Sequence, residues 1–172
     1  ITFYVFSSEN WKRPKKERSY LFKLIKSYFL KEIGSIIKQG IKLQILGEVK
    51  KFSNDLKLVL KKTSLLTKKN KKIIVNLAIN YGSRTEILKS VKKSRNNLSI
   101  KNIDQNLYTK KMPDPDILIR TGGYQRLSNF LLWQLAYTEL FFFKKLWPDF
   151  NSNDLLKVIS KYKKIKRNYG NI

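Results

Sequence analysis

The chain has no cysteine and no histidine among its 172 residues. The first absence excludes disulfides and thiolate metal sites. The second removes the commonest general base and transition-metal ligand, so a metal bound here is a hard, oxygen-ligated ion such as magnesium. Acids are scarce as well: 12 Asp and Glu stand against 37 Lys and Arg, a formal charge of +25. Arginine itself is sparse, confined to Arg13, Arg18, Arg84, Arg95, Arg120, Arg126 and Arg167. No apolar run approaches the roughly 18 residues that span a bilayer, and no stretch reads as a secretory signal peptide.

What is present is enough apolar surface for a core. An apolar content of 42% with 13% aromatics argues against disorder despite the charge, and the length suits one domain over 1–172. The lysines have two readings. Solvated helical faces, in a sequence also rich in Ile and Asn as an A/T-biased coding composition produces, account for them more simply than a polyanion surface. A basic surface still favours anionic substrates and an anionic membrane leaflet.

Ile1 to Phe6 reads as a buried strand entered midway, with no initiator Met ahead of it. We therefore expect a fragment lacking its N-terminus. The loop Ser7-Ser8-Glu9-Asn10-Trp11-Lys12-Arg13-Pro14 leaves that strand's carboxyl end, where ligands bind in parallel α/β sheets. It reads equally as a plain strand-to-helix connection with Ser or Asn as cap. Glu17 to Lys38 carries Leu21, Leu24, Ile25, Tyr28, Phe29, Ile33, Ile36 and Ile37 at helical spacing before Gly40. Its apolar stripe is wide, and core is its default role.

Ile41 to Leu46 alternates as a strand, Ser53-Asn54-Asp55 caps a second helix, and Ile73 to Ile79 is a third strand. That strand delivers Asn80-Tyr81-Gly82-Ser83-Arg84, and a helix runs from about Thr85 to Arg95. Asn96 to Pro115 is polar and weakly patterned, while Asn151-Ser152-Asn153-Asp154 caps a last helix. Strands alternating with helices predict an α/β fold, a mostly parallel sheet covered by helices.

The richest stretch is Asp116 to Phe150. Ile117-Leu118-Ile119 is a short buried strand ending on Arg120, followed by Thr121-Gly122-Gly123, Arg126, Ser128 and an apolar block with one acid, Glu139. Guanidinium forks match phosphate oxygens bidentately, and glycines let backbone N–H groups approach an anion. The stretch therefore reads as a diphosphate cradle. Glu139, taken alone, reads as an exposed strand-end acid.

The Phe6–Pro14 and Asn76–Arg84 stretches and the Asp116–Phe150 block, in that order, resemble the cis-prenyltransferases, most closely bacterial undecaprenyl diphosphate synthase. The likeness covers essentially the whole chain. It implies a single sheet of about six mainly parallel strands flanked by helices. It also implies a reaction, the elongation of an allylic diphosphate, usually farnesyl diphosphate, by repeated cis condensation with isopentenyl diphosphate. The product is a long polyprenyl diphosphate that carries cell-wall glycans, and the enzyme is a magnesium-dependent cytoplasmic homodimer touching the membrane through its lipid product.

By the same resemblance Arg120, Arg126 and Ser128 hold isopentenyl diphosphate, and Glu139 is associated with magnesium. Ser7 and Asn10 serve the condensing carbon and its departing proton. Trp11, Arg13 and Glu17 belong to a mobile loop that closes over substrate, and the Glu17–Lys38 helix becomes a wall of the product tunnel, with Ile73 near its floor. The family's first motif, Asp-Gly-Asn-Gly-Arg-Trp-Ala, which carries the main aspartate ligand and the first phosphate loop, lies ahead of the strand that opens this chain. We accordingly expect residues 1–172 alone to lack condensation activity. Other departures are Tyr124 where an acid is common, and Asn168-Tyr169-Gly170 where many members have an Arg-x-Gly that reaches the partner subunit, with Arg167 as a stand-in. Two rival readings stand beside this one. A nucleic-acid-binding protein is disfavoured because the lysines scatter over helical faces without interleaved aromatics. A silent scaffold homologue is disfavoured because it needs none of Asn10, Arg120, Arg126, Ser128 or Glu139.

Overall fold

A computed structural model of the chain describes residues 1–168. It divides into two compact units, Ile1–Lys110 and Lys111–Ile172. In the first, strands β1 (Thr2–Ser7), β2 (Ile41–Leu46) and β3 (Ile73–Tyr81) form a parallel sheet in the order β1-β3-β2. Parallel neighbours need long crossovers, and helices α1 (Lys15–Lys38) and α2 (Asn54–Leu66) provide them. Helices α3 (Ser83–Lys93) and α4 (Ile100–Asn106) complete the unit. In the second, β4 (Ile117–Arg120) and β5 (Glu139–Phe142) pair in parallel, with Ile117 opposite Glu139 and Arg120 opposite Phe142, and α5 (Ser152–Tyr162) follows. The α/β class and parallel pairing are as the sequence predicts, but the described residues hold five strands in two sheets, of three and two, rather than about six in one.

The central strand β3 is buried continuously from Asn76 to Tyr81. A strand covered on both faces loses the polar alternation of a half-exposed one, which is why this segment reads as an apolar run. Ile25, Phe29 and Ile36 of α1 and Leu56, Val59 and Leu60 of α2 meet Phe6, Leu77 and Ile79 of the sheet in one core. The broad stripe of α1 therefore splits. One edge is core, and Tyr20, Leu24 and Tyr28, four residues apart, are exposed within this unit.

Caps set the helix starts. The Ser53 hydroxyl accepts from the Leu56 N–H at α2, and Asn151 with Asp154 closes a reciprocal capping box at α5. Helix α4, inside the weakly patterned 96–115 stretch, is an addition to the predicted elements. Polar contacts hold it: Ser99 caps it, Ser94 Oγ donates to the Asn102 carbonyl at 3.0 Å, and Ser90 Oγ donates to that of Ile103. Hydrophobic periodicity carries no trace of such contacts. Among the described residues no helix is long and apolar enough to cross a membrane.

Candidate functional site

Two loops hold the predicted site residues. The first leaves β1. There Ser7 Oγ accepts from the Asn10 N–H at 3.2 Å and Asn10 Oδ1 accepts from the Ser7 N–H at 2.9 Å, a capping box opening the short 3-10 turn Ser8–Lys12. The Trp11 ring packs on Phe6, Phe22 and Phe52 at centroid distances of 5.5, 5.6 and 5.6 Å. The Arg18 guanidinium carbon lies over the Trp11 ring, 5.2 Å from its centroid. Arg13 and Glu17 pair with each other at 2.7 Å, one helical turn apart and both about half exposed. An open depression of about 630 Å³, lined by Pro14, Lys16, Glu17, Ser19, Tyr20 and Lys23, lies beside this pair.

Sequence reasoning overlooked the residue that organises this loop. Asn80, at the carboxyl end of β3, takes a left-handed φ of 49°. Its Oδ1 accepts from Trp11 Nε1 at 2.7 Å, its Nδ2 donates to the Glu48 carbonyl at 2.6 Å, and its own carbonyl accepts from the Glu48 N–H at 3.3 Å. Gly47 is required here, since with φ at 119° a Cβ would stand 2.3 Å from the Ile79 carbonyl oxygen. The available signal was the residue type, for Asn tolerates the left-handed region better than most. Behind it, buried Glu86 accepts from the Tyr81 hydroxyl and from the Tyr108 N–H at 2.7 Å, and the Tyr108 hydroxyl donates to Glu48, which also pairs with Lys89 at 2.7 Å. Lys89, then Tyr108, hold the Glu48 carboxyl below the usual range, while burial and then Glu48 push the Tyr108 phenol up.

The second loop leaves β4. Gly122 and Gly123 adopt φ of 90° and 79°, and nothing lies within 4 Å of a Cβ built at either, so backbone conformation rather than space calls for glycine. Their N–H groups donate to the carbonyls of Lys145, at 2.7 Å, and Phe143, at 2.9 Å. This corrects the expectation that these amides face an anion. The chain leaving β5 returns alongside and takes both donors.

The cations remain uncompensated. Arg120 Nη1 donates to the Arg126 carbonyl and to Ser128 Oγ, the latter at 2.9 Å, and its Nε is buried without a partner. Arg126 is exposed, its guanidinium carbon 4.1 Å from the centroid of the Tyr124 ring. Neither arginine joins an ion pair among the described residues. Burial, and after it the charge of Arg126, hold the Arg120 guanidinium below its ordinary pKa. Like charges gathered without a carboxylate are unfavourable until an anion arrives. Past them Ser128, Asn129 and Leu131 take φ of 50°, 61° and 46°. Left-handed conformations of this kind cost on the order of 1 kcal/mol or more each and concentrate at ligand clamps.

Glu139 stands apart from this group. It opens β5 opposite Ile117, three residues before the position paired with Arg120, so the two lie at opposite ends of the strand pair, about 10 Å apart along it. That end is braced by the Glu139 N–H on the Asp116 carbonyl at 3.0 Å and by Thr138 Oγ1 on that of Pro115 at 2.6 Å. The Asp116 carboxylate takes Arg167 at 2.5 Å and the Tyr162 hydroxyl at 3.1 Å, and Arg167 Nη2 donates to the Tyr137 carbonyl at 2.9 Å. Within this chain Arg167 thus engages Asp116 and Tyr137; Tyr169 and Gly170 lie outside the described residues. No cluster of three or more acids gathers among the described residues. Glu139 fits magnesium only as one carboxylate beside phosphate oxygens and water, which is how that ion is commonly shared between protein and substrate.

The family model Prenyltransf, described as "Putative undecaprenyl diphosphate synthase", matches residues 1–170. The isoprenyl transferase of Rickettsia felis is 44% identical over 174 residues, 99% of this chain and 74% of that protein. The crystal structure of a probable undecaprenyl diphosphate synthase from Campylobacter jejuni superposes with a TM-score of 0.90 at 31% identity, over 98% of this chain and 82% of the other. Lavandulyl diphosphate synthase from Lavandula x intermedia, in complex with dimethylallyl diphosphate, gives 0.93 at 31% identity, over 98% and 78%.

Proposed function

This chain belongs to the undecaprenyl diphosphate synthase family of cis-prenyltransferases, which transfer prenyl groups, and on that premise we propose that its reaction is the extension of an allylic diphosphate by repeated cis condensation with isopentenyl diphosphate, with residues 1–172 binding isopentenyl diphosphate but needing the family's first motif for turnover. Farnesyl diphosphate is the proposed primer and a long polyprenyl diphosphate lipid carrier the proposed product. The dimethylallyl diphosphate in the lavender relative supports an allylic diphosphate as substrate class. The observation that carries the reading is the pair Arg120 and Arg126, the first donating to Ser128 Oγ and to the Arg126 carbonyl, with no acid paired to either.

In this reading Arg120, Arg126 and Ser128 bind the diphosphate of the isopentenyl unit and hold it for attack. Fixed cations stabilise charge that grows on phosphate oxygens without reorganising at the moment of reaction. Ser7 and Asn10 serve the condensing carbon and its proton; with no histidine or cysteine in the chain, an acid, a hydroxyl or diphosphate accepts that proton. Trp11, Arg13 and Glu17 close over substrate and exclude water, and the outward apolar edge of α1 lines the path of the growing chain. Glu139, at the far end of the strand pair from Arg120, would supply one carboxylate to magnesium, an ion that would contribute positive charge to a substrate diphosphate. A homodimer in the cytoplasm, touching the membrane through its lipid product and binding no nucleic acid, completes the proposal.

Equilibrium binding of isopentenyl diphosphate, with inorganic diphosphate as competitor, tests it directly. Binding of both at one site is expected, and a chain that binds neither overturns the reading. Chromatography of extracted polyprenols then measures product length.

A further inference from the structure

We propose that Tyr124 is a positioning residue for diphosphate recognition: its ring carries the Arg126 guanidinium and holds it, charged and with its donors free, for the anion. The inference rests on the reading of this loop as diphosphate-binding. Arg126 is exposed, and an exposed arginine has considerable rotamer freedom to lose when it binds a ligand. Here its guanidinium carbon lies 4.1 Å from the Tyr124 ring centroid, well inside the roughly 6 Å over which a ring face attracts a cation. Its backbone is fixed too, because the Arg126 carbonyl accepts from Arg120 Nη1. Both ends of the side chain are therefore placed before ligand arrives.

The choice of an aromatic partner matters chemically. A carboxylate, common at this position in the family, would hold the guanidinium by its edge, through N–H groups that phosphate also uses. A ring acts through its face and takes none of those in-plane donors. Among the described residues no acid forms an ion pair with Arg126, so the fork remains available. Tyr124 itself is 57% exposed, which leaves it free to be replaced without disturbing the core.

Calorimetric titration with inorganic diphosphate and with isopentenyl diphosphate tests the inference in Tyr124→Phe, Tyr124→Leu and Arg126→Ala proteins. Tyr124→Phe keeps the ring and is expected to bind within about twofold of the parent. Tyr124→Leu should bind about threefold more weakly, the size of an exposed cation–π contact. In the Arg126→Ala background, Tyr124→Leu should add no further loss, because a residue acting through Arg126 has nothing left to position. Full affinity in Tyr124→Leu alongside a weakened Arg126→Ala overturns the proposal. So does an equal loss in Phe and Leu, which would make the hydroxyl the active group, or a Leu loss that persists without Arg126. Unchanged binding in Arg126→Ala would instead sink the reading of the loop on which the inference rests.

Discussion

The loops after β1 and β4 carry similar inventories, hydroxyls, an amide and arginines near a strand's carboxyl end, yet they treat them in opposite ways. After β1 every predicted functional group already has a partner within its own unit. Ser7 and Asn10 cap each other, Arg13 holds Glu17, and Trp11 is wedged among three phenylalanines with its N–H on Asn80. After β4, Arg120 and Arg126 share a loop with no acid, one of them with an unpartnered Nε, over a backbone with three left-handed residues. Residue type alone does not separate a site from a scaffold. The state of compensation does: a satisfied group stabilises the fold, and an unsatisfied charge on a strained loop awaits a ligand. Mutations in the first loop should therefore register chiefly as stability, and in the second chiefly as binding.

The largest effect is expected at Arg120. Arg120→Ala removes one guanidinium fork and the contact that fixes Ser128, and should weaken isopentenyl diphosphate binding by about 2–4 kcal/mol. Arg120→Lys should restore little, because a point charge cannot meet the Arg126 carbonyl, Ser128 and an anion together. Titration calorimetry measures the loss and thermal denaturation the stability. A large fall in melting temperature with intact binding would invert the comparison.

Trp11→Ala is the counterpart in the first loop. The ring touches three core aromatics, and its N–H satisfies Asn80. Because Trp11 is only partly buried, the loss should fall below that of a fully buried aromatic, about 2–3 kcal/mol. Urea denaturation reads it. Trp11→Phe should recover most of the packing but leave Asn80 Oδ1 without its donor. A Trp11→Ala protein of parental stability would show that the loop is not part of the core's edge.

How far these differences are legible in sequence depends on distance along the chain. β2 is readable to the residue, and α5 from its Asn151 and Asp154 cap, because alternation and capping are local. The capping use of Ser7 and Asn10 is equally local, and stood as one of two readings. Asn80 was not legible, since its partners Trp11 and Glu48 lie 69 and 32 residues away. Nor was the fate of the Gly122 and Gly123 amides, which depends on where the chain after β5 returns. The register that puts Glu139 at the far end of the pair from Arg120 is a tertiary fact as well. Arg120 with Ser128 was legible because the loop joining them is short.

Smaller effects test whether the first loop has a second role. Ser7→Ala removes a cap and should cost about 1 kcal/mol of stability. Ser7→Thr, which can still accept from Asn10, should recover most of it. In a protein that carries the family's first motif ahead of these residues, turnover that falls in Ser7→Ala beyond the loss of folded protein, and stays low in a stable Ser7→Thr, would show the hydroxyl acting on substrate in addition to capping. Turnover tracking folded protein in both would leave Ser7 as a cap alone.

The smallest effect belongs to Arg13 and Glu17. An exposed pair one turn apart contributes only about 0.3–0.5 kcal/mol, so Arg13→Ala should barely move the melting temperature. That insensitivity makes the pair a clean probe of loop closure. If the loop closes over substrate, Arg13 must exchange Glu17 for an anionic ligand; in a protein that carries the family's first motif its loss should raise KM for the allylic diphosphate, while Glu17→Gln, which frees Arg13 in the open state, should leave KM lower or unchanged. Parallel changes in the two variants would mean the pair works as a unit at the helix start. No change in either would place the closing cation elsewhere in this lysine-rich loop, with Lys12, Lys15 and Lys16 the next to substitute.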